Sequence, residues 1–237
     1  SDFNGDPPAD GSARRLTWLP AQLPPHVRLV LSTLPGECLQ ALESKTPVHH
    51  RLEVQPLAAK DGEAVLDAWL DGVHRQLQAN QKHYLLEKFA GCGLPLYLKL
   101  AYEEARLWKS YAPLPDLSPD IPGLLRDLFQ RLSQESNHGG VLVSRGLGYL
   151  AASRNGLSED ELLDVLSRDA EVLADFRRRS PKSPRVERLP VVIWSRLYFD
   201  LEPYLTERSA DGTSLLAFFH RQMAEACQAA YRDPARH

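Results

Sequence analysis

Leu205-Thr206-Glu207-Arg208, then Ser209-Ala210-Asp211-Gly212, then Leu215-Leu216-Ala217-Phe218-Phe219 form the stretch from which the rest of the sequence is best read. Two short runs flank an Asp-Gly pair, the residue pair that most readily supplies the positive φ angles of a tight β-hairpin. Just before it, Ile193, Leu197, Leu201 and Leu205 recur every fourth residue, which predicts a helix to about Tyr204. Just after it, His220 to Tyr231 reads as a last helix carrying Met223, Cys227 and Ala230. Further upstream, Ser158-Glu159-Asp160-Glu161 has capping-box spacing, with Leu162, Leu163 and Leu166 as the core face beyond it. Val141 to Ala152 is the helix before that, with Asn155-Gly156 as its C-terminal cap. Between the capped helix and the Ile193 helix, Arg177-Arg178-Arg179-Ser180-Pro181-Lys182-Ser183-Pro184-Arg185 reads as a basic, proline-broken loop. Helix, helix, helix, hairpin, helix is the outline of a winged-helix domain, here residues 138–237.

Toward the N-terminus the pattern stays helical over 58–137. Val65, Leu66, Trp69, Val73 and Leu77 fall on one face, and Tyr84 to Ala90 form a short helix ended by Gly91-Cys92-Gly93. Pro95 then stands at a first helical position, where its missing N–H costs nothing, and opens Pro95 to Trp108. After the proline-rich 113–122 segment, Ile121, Leu124, Leu125, Leu128, Phe129 and Leu132 give the cleanest 3.6-residue period in the chain. Residues 1–57 read differently. Val27 to Thr33 is an apolar run between Pro24-Pro25 and Pro35-Gly36, as expected of a strand buried in a parallel sheet, and Arg51 to Leu57 is a second strand candidate after a helix around Glu37 to Leu42. The fold class is thus mainly α with a small α/β portion, and 1–57 reads as the tail of an α/β domain whose first half lies elsewhere.

Composition bounds the function. Of 237 residues, 43% are apolar and 25% charged, so the chain can bury a core. Lys and Arg total 28 against 31 Asp and Glu, a formal charge of -3, which offers no global attraction to a polyanion or an anionic membrane. No run approaches the ~20 apolar residues of a membrane span. Cys38, Cys92 and Cys227 stand too far apart in sequence for a metal-ligand pair or an even disulfide set, as expected of a cytoplasmic protein. No phosphate-binding G-x-x-x-x-G-K-[ST] loop, dinucleotide glycine motif, zinc-protease motif or nucleophile elbow occurs. His49-His50 reads as a loop pair rather than a metal site, and Glu103 and Glu104 beside Arg106 as a solvated face rather than an acid/base pair. The 177–188 stretch has six cationic residues, yet Asp200 and Glu202 on the next helix argue against entry into a DNA groove.

Four phrases then occur in register: Trp18-Leu19-Pro20 with Leu23-Pro24 and Val27 to Thr33, then Pro95 to Glu104, Gly156 to Leu162, and Phe218-Phe219-His220-Arg221-Gln222-Met223. Together with Gly93-Leu94-Pro95-Leu96 they resemble the signal-transducing NTPases of the NACHT and NB-ARC type, in the branch holding telomerase-associated protein, nephrocystin and the NACHT-WD-repeat proteins. The resemblance implies the C-terminal part of a P-loop NTPase domain (1–57), a helical lid domain (58–137) and the winged-helix domain (138–237). It also implies roles. Ser32 and Thr33 would take the sensor position near the nucleotide γ-phosphate, Gly93, Leu94 and Pro95 would pack on the adenine, and His220 would contact the β-phosphate of ADP.

The same resemblance implies a nucleotide-dependent switch that controls conformational activation and oligomerisation, with ADP or ATP as cofactor and Mg²⁺ held by the missing half. Asp2 and Asp6 would be remnants just after the acidic magnesium-binding strand. A slow ATPase is expected of the parent protein, and neither hydrolysis nor a cofactor of the isolated chain, which lacks the phosphate loop. Expected partners are the upstream P-loop half, a downstream WD or TPR-type repeat sensor and a homo-oligomer, with no membrane and no nucleic acid. The other readings are a protein-interaction scaffold without nucleotide chemistry and a winged-helix nucleic-acid binder.

Overall fold

The computed structural model describes residues 16–231 apart from 17, 21 and 211, and the side chains of His49 and Ala210 fall outside the description. Asp2, Asp6, Asp211 and the ring of His49 therefore lie outside the described residues. The chain divides into two compact units, one ending at Gln55 and one beginning at Pro56.

Among its described residues the first unit holds one short helix, α1 (Glu37–Glu43), and a 3₁₀ turn at Val48–His50. Lys45 Nζ donates to the Leu16 carbonyl at 2.9 Å, and the Arg51 guanidinium donates to the carbonyls of Glu43 and Thr46. Neither strand candidate forms. Residues 27–33 and 51–57 carry no regular structure, and Val30, Leu52 and Val54 are 94%, 90% and 87% exposed. A buried parallel strand needs a hydrogen-bonded neighbour and a covering layer on each face, and the described part of this unit offers neither. Among the described residues this unit thus shows one helix and a 3₁₀ turn and no strand.

The second unit begins with α2 (Ala59–Gly72), α3 (Ala79–Ala90), α4 (Pro95–Ala105) and α5 (Ile121–Leu132). On α2 the buried line is Gly62, Leu66 and Leu70, one step round from the expected stripe, and Val73 is exposed. Gly62 is small for a reason: a Cβ there would stand 2.1 Å from Cε1 of the fully buried Phe89 on α3. α4 stops at Ala105, short of the expected end at Trp108. The α5 stripe is buried at every expected position, and Asp120 caps the helix by accepting from the Gly123 amide at 2.7 Å.

The remaining elements are α6 (Gly140–Ala152), α7 (Glu159–Arg168), α8 (Ala170–Arg179), α9 (Val191–Leu201), a 3₁₀ turn at Glu202–Tyr204, the antiparallel strands β1 (Leu205–Ala210) and β2 (Thr213–Phe218), and α10 (Arg221–Tyr231). α6 packs against α7, α8, α10 and β2, with Gly146 letting Trp194 and Leu197 approach to 3.6 Å of where a Cβ would stand. The capping box of α7 is present, with the Glu161 amide on Ser158 Oγ at 3.2 Å and the Ser158 amide on Glu161 Oε2 at 2.8 Å. Two expectations fail. Gly156 is not the cap of α6, which ends at Ala152. It has φ +96°, a Cβ there would strike the Leu216 carbonyl oxygen at 2.5 Å, and the next residue, Leu157, exchanges two hydrogen bonds with Leu216 at 3.1 and 2.8 Å. Arg177, Arg178 and Arg179 are not loop but the last turn of α8, a helix opened by Asp169 accepting from the Glu171 and Val172 amides. Cations at a helix C-terminus are favoured by the aligned peptide dipoles.

Candidate functional site

The Gly93-Leu94-Pro95 turn is built from its backbone. α3 runs out at Ala90, and the Phe89 carbonyl accepts from the Cys92 and Gly93 amides at 3.0 and 2.8 Å. Gly93 is buried at φ +63°, and a Cβ there would meet Pro56 Cβ at 2.8 Å and the Leu57 oxygen at 3.0 Å. Its own carbonyl accepts from the Leu57 amide at 2.8 Å, which ties the turn to the start of the unit. With the turn so fixed, Leu94 (44% exposed) and Pro95 stand out from the surface as a small rigid apolar face, Pro95 at the first position of α4.

His220 immediately precedes α10. Its Nδ1 accepts from the Gln222 amide at 3.2 Å and its carbonyl accepts from the Met223 amide at 3.1 Å. That use of Nδ1 as acceptor puts the proton of the neutral ring on Nε2, so the half-buried imidazole keeps one N–H for another group. The ring leans on Phe219, centroids 6.0 Å apart, and the Phe219 amide donates to the Tyr204 carbonyl at 3.1 Å. Ser32 and Thr33 belong to the other unit. Both are exposed, and the Thr33 hydroxyl donates to the adjacent Leu34 carbonyl at 3.1 Å.

Several functional-looking groups escape a sequence pattern because their burial or their partners come from distant residues. Glu103 is not solvated: it is buried between Lys99 Nζ and Arg106 Nη1, each at 2.6 Å, while Glu104 accepts from Arg131 at 2.8 Å. His138 Nε2 lies 2.8 Å from Asp200 Oδ2, and Arg179 donates to the carbonyls of Glu135 and Asn137 at 3.2 and 2.7 Å. His138, Arg179, Asp175, Leu189, Ile193 and Arg196 line a cavity of about 80 Å³. Within this cluster, the arginine triplet alone left a local signal in the sequence. Cys227 is buried and its thiol is pushed well above the usual range by that burial. Among the described residues no group of three or more His, Cys, Asp or Glu could hold a metal ion, and no helix is long and apolar enough to cross a membrane.

Comparison with known proteins gives the chain its relatives. It is 40% identical over 224 residues to the human "NACHT domain- and WD repeat-containing protein 1", a match that covers 92% of this chain and 14% of that protein. The human "NACHT and WD repeat domain-containing protein 2" is 34% identical over 225 residues, covering 92% of the chain and 13% of the relative. The mouse "Telomerase protein component 1" is 31% identical over 166 residues, covering 63% of the chain and 6% of its own length. No family model matches, and no solved structure does. With nearly all of its length aligned at this identity, the chain belongs with the NACHT- and WD-repeat-containing proteins, as the homologue of one segment of them.

Proposed function

We propose that this chain is the lid-and-latch segment of a nucleotide-dependent signalling switch. Gly93, Leu94 and Pro95 pack on the base, His220 Nε2 donates to a phosphate, and Ser32 and Thr33 sense the terminal phosphate once a phosphate-binding half supplies the nucleotide and its Mg²⁺. The chain itself carries no phosphate-binding loop and hydrolyses nothing alone. Residues 58–137 act as the lid and 138–237 as a winged helix. The one observation that carries this reading is the Gly93 turn, where a buried left-handed glycine and the Leu57–Gly93 bond hold an exposed proline face rigid. Two further features support it. His220 takes the Gln222 amide on Nδ1, which leaves Nε2 of the neutral ring as a donor. The Leu157–Leu216 bridge adds a third extended segment between the first two helices of the 138–237 region, where a winged helix carries its first strand.

The relatives' names state a NACHT domain and WD repeats. To the whole protein we assign a nucleotide-binding region, the repeats as sensor, and activation by exchange and oligomerisation in the cytoplasm. The test is ADP retention by the chain in continuity with its phosphate-binding half. Pro95→Ala and His220→Ala are each expected to speed ADP release about tenfold, the scale of ~1.4 kcal/mol for a lost stacking face or charged hydrogen bond. Retention unchanged in both variants rejects the assignment.

A second reading, a docking scaffold for another protein, draws on α9. There Val191, Val192 and Phe199 are 56%, 57% and 73% exposed, next to Arg196 and Asp200. The same face speaks against nucleic acid, since a groove-reading helix needs a cationic excess. Phe199→Asp separates the two readings: as a scaffold the protein loses partner capture and keeps nucleotide retention.

A further inference from the structure

The basic segment after α8 has no part in the nucleotide site, and its surroundings differ from those of an ordinary solvated loop. Ser180-Pro181 and Ser183-Pro184 both fall in it. Ser180 closes α8, its amide on the Phe176 carbonyl at 2.8 Å and the residue half-buried. Ser183 is exposed, as are Pro181, Lys182, Pro184 and Arg185. The Ser183 amide donates to the Ser180 carbonyl at 3.0 Å, so a turn holds Ser183 next to the cap residue of α8. Pro184 restricts Ser183 to extended backbone and removes an N–H, the local shape a proline-directed kinase cleft accepts.

The cations around this serine fall into two sets. Arg178 is paired with Asp175 at 2.5 Å and Glu135 at 3.1 Å, Arg179 with Glu135 at 3.2 Å, and Arg188 with Asp164 at 2.9 Å. Arg177, Lys182 and Arg185 have no anionic partner among the described residues. These three cations without an anionic partner lie within six residues of an exposed hydroxyl, a sequence neighbourhood that favours a dianion there. We propose that Ser183 is a phosphorylation site for a proline-directed serine kinase, and that its phosphate is received by Arg177, Lys182 and Arg185, pinning the 180–190 connection to the end of α8.

In the transfer, Ser183 Oγ forms a bond to the γ-phosphorus of the kinase's ATP as the bond to the bridging oxygen breaks. ADP leaves, and the hydroxyl proton passes to the kinase's base. The phosphate brings a charge of about −1.5 to −2 and three acceptor oxygens. The α8 C-terminus repels it with only about half a unit charge, so three cations outweigh the dipole. The pinned segment leads through Leu189, whose amide already donates to Ser167 Oγ at 2.9 Å, straight into α9. Phosphorylation thereby fixes the entry to α9 and neutralises at least half of the three cations' charge.

The experiment treats the full chain with a proline-directed kinase and Mg-ATP, maps the phosphate by mass spectrometry, and follows amide exchange over 181–188. Phosphate on Ser183 is expected, lost in Ser183→Ala and kept in Ser180→Ala. Exchange over 181–188 should slow about fivefold, the scale of one exposed charge-assisted contact, and the slowing should vanish in the Arg177→Gln/Arg185→Gln variant. Transfer to Ser180 instead, transfer only to an isolated 176–190 peptide, or transfer to Ser183 with unchanged exchange would each overturn the proposal.

Discussion

Glu103 carries the sharpest lesson at the scale of one residue. As a pattern, two adjacent carboxylates near an arginine read as a wet face, yet Glu103 is buried while its partners Lys99 and Arg106 keep about a third of their side-chain surface in water. No periodicity reveals this, because the burial comes from neighbouring helices and not from the i−4 and i+3 partners that the sequence does contain. Glu103→Ala is expected to lower unfolding stability by about 1–2 kcal/mol, at the lower end for a buried charged group because the stranded cations can rehydrate. A urea unfolding series reads it as a shifted midpoint with an unchanged slope, and a Lys99→Met background should reduce the loss. Gly93→Ala meets a different obstacle. A left-handed backbone costs a Cβ-bearing residue about 1–2 kcal/mol before the 2.8 Å approach to Pro56 is counted. This turn was legible in the sequence, since a glycine just past a helix end and just before a proline points to it.

Most helices were legible and the two N-terminal strand candidates misled, for a reason that belongs to elements. α5 was readable to the residue because one amphipathic stripe specifies both the helix and the side it buries. By contrast α8 went unread: it buries only Val172, Asp175 and Phe176, and three arginines in its last turn resemble loop chemistry. The 27–33 run has all the composition of a strand, but a strand exists only through its partners, which local sequence does not contain. For α7 the cap itself is testable. The Glu161 carboxyl is held below the usual carboxylate range by hydrogen bonds from the Ser158 amide and hydroxyl. A depressed folded-state pKa contributes stability that is present above the unfolded value and disappears as pH falls through the folded one. Glu161→Gln should therefore shift the unfolding midpoint at neutral pH, and the shift should shrink as the acid titration proceeds below about pH 4. Gly62→Ala should be costly at every pH, by about 1–3 kcal/mol, because its added methyl must displace the ring of Phe89 between α2 and α3.

Across the whole molecule, the division at Gln55 and Pro56 makes its own prediction. A chain of residues 56–237 should unfold cooperatively, with a stability within about 0.5 kcal/mol of that of the longer chain, as for changes remote from a core. A large loss on removing residues 1–55 would show that the helical unit leans on them. The sensor role proposed for the Ser32–Thr33 pair rests on resemblance alone, because such a role is defined by a ligand and not by local sequence. The 205–218 hairpin, in contrast, was readable from its turn and its flanking runs, although its third member, Leu157, was not. That third member has a mechanical meaning. Leu157 is gripped by Leu216 on one side and is joined directly to the Ser158 cap on the other. A tug on the hairpin is therefore passed to the first turn of α7, so the hairpin is no loose tab: its rest position and the start of that helix are set together.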